Sequence, residues 1–186
     1  MMRIMSLLII LVLLFAALPA FSAYIPGPKR MTITFNLSGF YDDSLFGFTE
    51  EIPTDYDSIS NIDTWSMYVR EVEEFEYTHG NQSVYAWWRI SIPSRYSLSL
   101  YAEDKLSSDT GASMDWQVSW ETEDETVTIG GENGYGIGNS KELYRNSSNL
   151  FSREIGYKEL TFDVDIPDNA VPDNYTGRLV MRLATL

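Results

Sequence analysis

Beyond residue 23, apolar and polar residues of this chain alternate in short runs, and almost nothing recurs at helical spacing. Successive side chains of a strand point to opposite faces, so each run reads as a strand with one dry face and one wet face. Met31, Ile33, Phe35 and Leu37 alternate with Thr32, Thr34 and Asn36, and Trp65, Met67 and Val69 with Ser66, Tyr68 and Arg70. Val84, Ala86, Trp88, Ile90 and Ile92 alternate with Tyr85, Trp87, Arg89 and Ser91; Pro93 and Ser94 break the run, and Tyr96, Leu98 and Leu100 resume it. Met114, Trp116, Val118 and Trp120 form another dry face, followed by the acidic residues 121–125 and a short strand with Val127 and Ile129, the pattern of a hairpin. Leu160, Phe162, Val164 and Ile166 lead to Pro167, and Tyr175, Gly177, Leu179, Met181 and Leu183 make the last run.

Strands at this spacing predict an all-β fold, an antiparallel β-sandwich of immunoglobulin-like or pilin-like kind. Residues 41–60 and 130–152 lack clean periodicity and carry Gly, Asn, Ser and Asp, so they read as long loops, where function would sit. There is no internal repeat and no linker composition, which predicts one domain over residues 23–186.

The first 22 residues have the layout of a secretory signal peptide. Arg3 is the basic start, residues 4–18 carry no charge, and small Ala20 and Ser22 stand where a signal peptidase reads, so cleavage is expected after Ser22. The apolar core of the segment is shorter than the roughly 20 residues a membrane span needs, and Pro26, Pro28, Lys29 and Arg30 follow instead of more apolar chain, which disfavours an uncleaved anchor. No later segment is apolar enough to span a membrane as a helix. With no cysteine, disulfides, thiolate metal sites and cysteine nucleophiles are excluded, and stability has to come from the core.

Loss of Arg3 leaves 12 Lys and Arg against 27 Asp and Glu, a net charge of −15. Such a surface repels phosphate backbones and anionic lipid, which argues against nucleic-acid and membrane-surface roles and favours neutral or basic partners. Acidity also keeps an exported protein soluble, with no specific partner implied.

No catalytic set emerges. His79, the one histidine, lies in Thr78-His79-Gly80-Asn81, a turn composition in which the ring is solvated. Carboxylates neighbour one another at Asp42 and Asp43, Asp55 and Asp57, residues 121–125, and Asp163, Asp165, Asp168 and Asp173, as 27 acids would by chance, and none stands out as an acid of raised pKa in a cleft. The last group is the best placed for calcium, yet Asp163 and Asp165 are already explained as the polar face of a strand, and no metal or other cofactor is expected. Residues 130–138 are glycine-rich but lack the lysine and the strand-to-helix context of a nucleotide loop. Tyr85 and Trp87 share the polar-patterned face of their strand and are the candidate ligand-contact aromatics, able to stack on a sugar or anchor a peptide if exposed; a central strand covered on both sides would bury them instead. Asn-x-Ser/Thr sequons occur at Asn36, Asn81, Asn146 and Asn174.

The C-terminal residues Leu160-Thr161-Phe162-Asp163-Val164-Asp165-Ile166-Pro167, then Ala170, Pro172, Tyr175-Thr176-Gly177 and Leu179-Val180-Met181-Arg182-Leu183 resemble the last two strands of bacterial surface β-sandwiches, the WxL domains and the spore-coat-U or chaperone-usher fimbrial subunits. The resemblance spans about 27 residues. Asp173-Asn174 stand where those families usually place a glycine before the tyrosine, and no tryptophan lies in the last strand. It implies an exported, non-catalytic structural or interaction domain of the cell envelope or an appendage, with other envelope proteins or further copies of itself as partners. The alternatives are a carbohydrate- or peptide-binding module using Tyr85 and Trp87, and a secreted carboxylate-dependent hydrolase.

Overall fold

A computed structural model describes residues 28–38, 44–49, 74–77, 84–92, 94–148 and 152–186. The fold is all-β. The described residues form eleven strands: β1 Arg30–Ser38, β2 Leu45–Thr49, β3 Glu74–Glu76, β4 Val84–Ile92, β5 Tyr96–Ala102, β6 Leu106–Ser108, β7 Ser113–Glu121, β8 Thr126–Gly130, β9 Lys141–Asn146, β10 Ser152–Asp165 and β11 Asn174–Thr185. Every pairing is antiparallel except that of β1 with β11, which is parallel over the whole of β1.

Two long strands organise the topology. β10 pairs with β4 over its first part, Ser152 to Leu160, and with β7 over its last, Thr161 to Asp165; β2 continues outward from β4, and β8 from β7. β11 takes β1 on one side, and β6 then β5 on the other, with β9 beyond β5 and β3 beyond β1. The two groups meet through apolar side chains. Phe35 of β1 stacks on Phe48 of β2 with ring centres 4.3 Å apart and meets Phe162 of β10 edge-on at 6.3 Å. Trp88 of β4 stacks on Tyr144 of β9 at 5.4 Å. The dry faces read from the alternation supply this core: Ile33, Ile90, Leu98, Leu100, Val118, Leu160, Leu179 and Met181 are fully buried. Each such side chain contributes about 1.5–3 kcal/mol relative to an exposed one.

Two loop assignments are corrected. Residues 41–60 contain β2, and residues 130–152 contain β9 and the start of β10. β2, with the sequence LFGFT, has too few residues to display alternation and is interrupted by a glycine. β9, KELYRN, is an outer strand with only Leu143 and Asn146 buried, so most of its residues are polar or charged. The strand expected around Trp65, Met67 and Val69 lies outside the described residues, as does the segment assigned to the signal peptide.

Candidate functional site

The hairpin of β7 and β8 and the last part of β10 lie side by side, and their outward side chains are polar. Asp115, Gln117 and Ser119 on β7 stand opposite Asp165, Asp163 and Thr161 on β10. Beside the Asp115 end lies a cleft of about 570 Å³, bounded by this pair of strands, by Lys105 and by the glycine-rich loop after β8. The loop is positioned by backbone conformations that suit glycine: Gly130, Gly131, Gly134 and Gly136 all have positive φ. At Gly130 a side chain would also run into the Trp116 carbonyl, so the tight path along β7 requires glycine there. Two short 3₁₀ turns, Gly131–Asn133 and Ile137–Asn139, carry the chain past the cleft.

The cleft wall is held by Tyr135. Its hydroxyl accepts a hydrogen bond from the Trp116 backbone N–H at 3.0 Å and has its one proton to donate either to the Trp116 carbonyl at 3.0 Å or to Asp115 Oδ1 at 3.1 Å. Lys105 Nζ donates to Asp115 Oδ2 at 2.8 Å, and Gln117 Nε2 donates to Asp163 Oδ2 at 3.2 Å. The Lys105 hydrogen bond, aided by Tyr135, holds the Asp115 carboxyl below its usual range. The same contact raises Lys105, while burial raises the Tyr135 phenol. Asp115 is therefore an ionised anchor, the opposite of an acid kept protonated for proton transfer. Asp165 and Glu132 line the same cleft, and their carboxylates have no hydrogen-bond or ion-pair partner among the described residues. Farther along the β7–β10 ladder a second hollow of about 390 Å³ is lined by Ser119, Glu121, Tyr157, Glu159 and Thr161, among others, and Lys158 Nζ donates there to the Glu121 carbonyl at 2.9 Å.

The expectation that Tyr85 and Trp87 look outward is corrected. Trp87 has no exposed surface and Tyr85 keeps only 8%. β4 lies between β2 and β10, and both of its faces are covered from Val84 to Ile90, even at Arg89. Trp87 lies across Gly47 of β2, where an added Cβ would come within 3.1 Å of the indole, and Tyr85 packs edge-on against Tyr157 at 6.1 Å. Trp88 lies in the same way across Gly156 of β10. A strand glycine leaves room for a large ring from the neighbouring strand, so these pairs bury indoles on both faces.

Other sequence candidates divide. His79, Asp42, Asp43, Asp55, Asp57 and the sequon at Asn81 lie outside the described residues. Asp163 and Asp165 do fall on the wet face of a strand, as the alternation implied. Asp173 is bound by Thr110 Oγ1 at 2.8 Å and by the Asn174 N–H at 2.9 Å, chiefly the first of which lowers its pKa. Among the described residues no three His, Cys, Asp or Glu side chains are grouped to hold a metal ion. Of the sequon asparagines, Asn36 and Asn174 are exposed and Asn146 is buried. Residue-type reasoning did not select Lys105, Gln117 or Tyr135. Tyr135 was detectable only as the one aromatic inside the glycine-rich run, and Lys105 carries no motif at all.

No protein-family model and no curated protein matches the chain.

Proposed function

We propose that this is an exported, non-catalytic structural or interaction domain of the cell envelope or of an extracellular appendage, released from its signal peptide after Ser22 and built as a β-sandwich whose layers are the β4–β10–β7 and β1–β11–β5 groups. The observation that carries the reading is the placement of β1. Its nine residues run parallel to β11, about 144 positions away in sequence, and Met31, Ile33 and Phe35 fill the core while, among the described residues, the outer side of the strand is paired with β3 at Thr32 to Thr34 and by the Tyr77 N–H donating to the Met31 carbonyl. A strand that inserts alternate side chains into another part of the chain through main-chain hydrogen bonds is the unit by which sheets exchange partners, with the backbone supplying affinity and the alternate side chains the register. In this reading the partners are envelope proteins or further copies of the chain, joined by β1 pairing.

The test uses the mature chain, residues 23–186, in light scattering over a concentration series, beside a variant lacking residues 23–38 refolded with and without a peptide of residues 30–38. Oligomers that grow with concentration, and a deletion variant that regains its strand signal only with the peptide, support the reading. A strict monomer whose deletion variant ignores the peptide overturns it. Mass spectrometry of the secreted protein checks the export step, with Ala23 as the expected first residue.

The cleft beside Asp115 favours a second reading, a carboxylate-dependent hydrolase, because it gathers Asp115, Glu132, Asp163 and Asp165. A general acid in such a pair needs a raised pKa, whereas Asp115 is driven down, so the structural reading takes precedence.

A further inference from the structure

Two asparagines close the two 3₁₀ turns of the glycine-rich loop, and their settings are matched in all but two respects. Asn133 ends the first turn and Asn139 the second, and both are exposed. In each turn the next residue donates its backbone N–H to the carbonyl two residues before the asparagine, Gly134 to Gly131 at 3.1 Å and Ser140 to Ile137 at 3.2 Å. The first difference is the side chain. Asn139 Nδ2 donates to the Tyr135 carbonyl at 2.7 Å, whereas the Asn133 carboxamide has no partner among the described residues. The second is the neighbour, because Asn133 precedes Gly134 in the one Asn-Gly pair of the sequence, and Asn139 precedes Ser140. An asparagine carboxamide is an electrophile within reach of the next residue's main-chain nitrogen, which makes asparagine thermolabile. A side chain on that next residue obstructs the approach, and glycine has none. Gly134 and its neighbours Gly130, Gly131 and Gly136 have positive φ, so the peptide units around Asn133 can turn at small steric cost once a single hydrogen bond of a three-residue turn opens. Other described asparagines lack this combination: Asn146 is buried and its Oδ1 accepts the Ser148 N–H, and Asn36, Asn169 and Asn174 precede Leu37, Ala170 and Tyr175.

We infer that Asn133 is a modification site, converted without an enzyme to aspartate and isoaspartate through a cyclic imide formed with Gly134. The deprotonated Gly134 nitrogen attacks Asn133 Cγ. The N–Cγ bond forms, the Cγ–Nδ2 bond breaks, and the proton lost from the nitrogen leaves with the ammonia. Water then opens the ring. Cleavage at Cγ restores the main chain with aspartate at position 133, and cleavage at the main-chain carbonyl reroutes the chain through Cγ as isoaspartate. Nothing is oxidised or reduced, and water is the one co-reactant. Either product places a new carboxylate next to Glu132 on the cleft wall. Isoaspartate also lengthens the backbone by one methylene where the loop is tight, since an added Cβ at Gly134 would come within 2.9 Å of Asn139 Nδ2, the group that holds the Tyr135 carbonyl. The site is distinct from the β1 pairing proposed above and stands without it.

The mature chain, residues 23–186, is incubated in warm, mildly alkaline buffer beside a free peptide of residues 129–141, with circular dichroism establishing that the chain stays folded. Peptide mapping follows the gain of one dalton at each asparagine, and electron-transfer fragmentation distinguishes isoaspartate from aspartate. In the folded chain Asn133 is expected to convert at least several-fold faster than Asn139, Asn146, Asn169 or Asn174, and more slowly than in the peptide, where no turn holds the Gly134 N–H. Isoaspartate should accompany aspartate, and the rate should rise with pH because the attacking nitrogen is deprotonated. Asn133→Gln, whose side chain would have to close a larger ring, should abolish the gain in the fragment that carries the loop. Conversion of Asn139 as fast as Asn133, aspartate without isoaspartate, the same gain in the Asn133→Gln fragment, or no gain at Asn133 by the time the peptide is fully converted would each overturn the proposal. Converted and unconverted chains, separated by anion exchange, are then compared by amide hydrogen exchange over residues 131–140. Faster exchange in the isoaspartate form is expected, and unchanged exchange would overturn the claim that the lengthened backbone loosens the wall at Tyr135.

Discussion

One outward face runs across β4, β10 and β7, and its two ends have opposite fates. At the β4 end, Tyr85 and Trp87 stand opposite Glu159 and Tyr157 of β10 and are buried. At the β7 end, Asp115 and Gln117 stand opposite Asp165 and Asp163 of the same strand and line an open cleft. The sequence rhythm is the same at both ends, with an apolar row, Val84, Ala86, Trp88 and Ile90 in β4 and Met114, Trp116, Val118 and Trp120 in β7, alternating with residues that carry a hydrogen-bonding group. What separates them is the amount of apolar surface. An indole or phenol can be covered at a gain, whereas a carboxylate cannot leave water without a partner. A polar-tipped aromatic is therefore ambiguous in an alternation pattern, and an aspartate is not.

The dry end gives the largest expected effect. Trp88→Ala should cost about 3–5 kcal/mol in urea denaturation, since it empties the space across Gly156 and beside Tyr144. Gly156→Ala alone should cost about 2 kcal/mol, because its new methyl group overlaps the Trp88 ring. In the Trp88→Ala background the same methyl enters vacated space, so its penalty should vanish, a coupling of about 1–3 kcal/mol. Additive penalties would show that the ring and the glycine are not paired. At the wet end Thr161→Ala should change stability by less than about 0.5 kcal/mol. A comparable cost there would erase the contrast between the two ends.

Between these extremes lies the loop that walls the cleft. Tyr135→Phe keeps the ring and leaves the Trp116 N–H without its acceptor, which should lower stability by about 1–2 kcal/mol by the same denaturation measurement. A loss below about 0.3 kcal/mol would mean that water replaces the hydroxyl and that Tyr135 does not fix the loop.

The parts of this arrangement differ in how far they can be read from residues alone. β1, β7, β8, β10 and β11 announce themselves because burial largely follows the alternation; the departures are Leu37, exposed on the expected dry row of β1, and Thr32 and Val180, buried on the wet rows of β1 and β11. β4 announces its existence but not its surroundings, since covering its second face depends on Gly47 and Gly156 arriving opposite two indoles, a matter of register between distant segments. β2 and β9 are hidden because hydrogen bonds to a neighbouring strand, and not their own composition, make them strands. In the candidate cleft, Asp163 and Asp165 follow from the rhythm of β10. Lys105 and Tyr135 come from connections on either side of β7, and nothing local says that Asp115 is their common partner.

That cluster supplies a small effect, and pH resolves it. The folded-state pKa of Asp115 lies below its unfolded value, so its contribution is complete above the ordinary carboxylate pKa near ~3.9 and is lost as pH falls through the lower folded value. The pKa of Lys105 is raised, so its share is complete below the ordinary lysine value of ~10.4 and is lost as pH rises through the folded one. Both side chains are nearly half exposed, at 49% for Lys105 and 43% for Asp115, so water screens the pair, its contribution is small, and it is sensitive to salt. Tyr135, raised by burial, adds a loss on the alkaline side. Asp115→Asn should therefore flatten the acid limb of the stability profile and remove the Lys105 part of the alkaline limb, and Tyr135→Phe should reduce the alkaline limb while leaving most of the acid one. If Asp115→Asn leaves both limbs unchanged, the ion pair contributes nothing to holding the cleft, and the wet end owes its shape to the Tyr135 hydrogen bonds and the glycine loop alone.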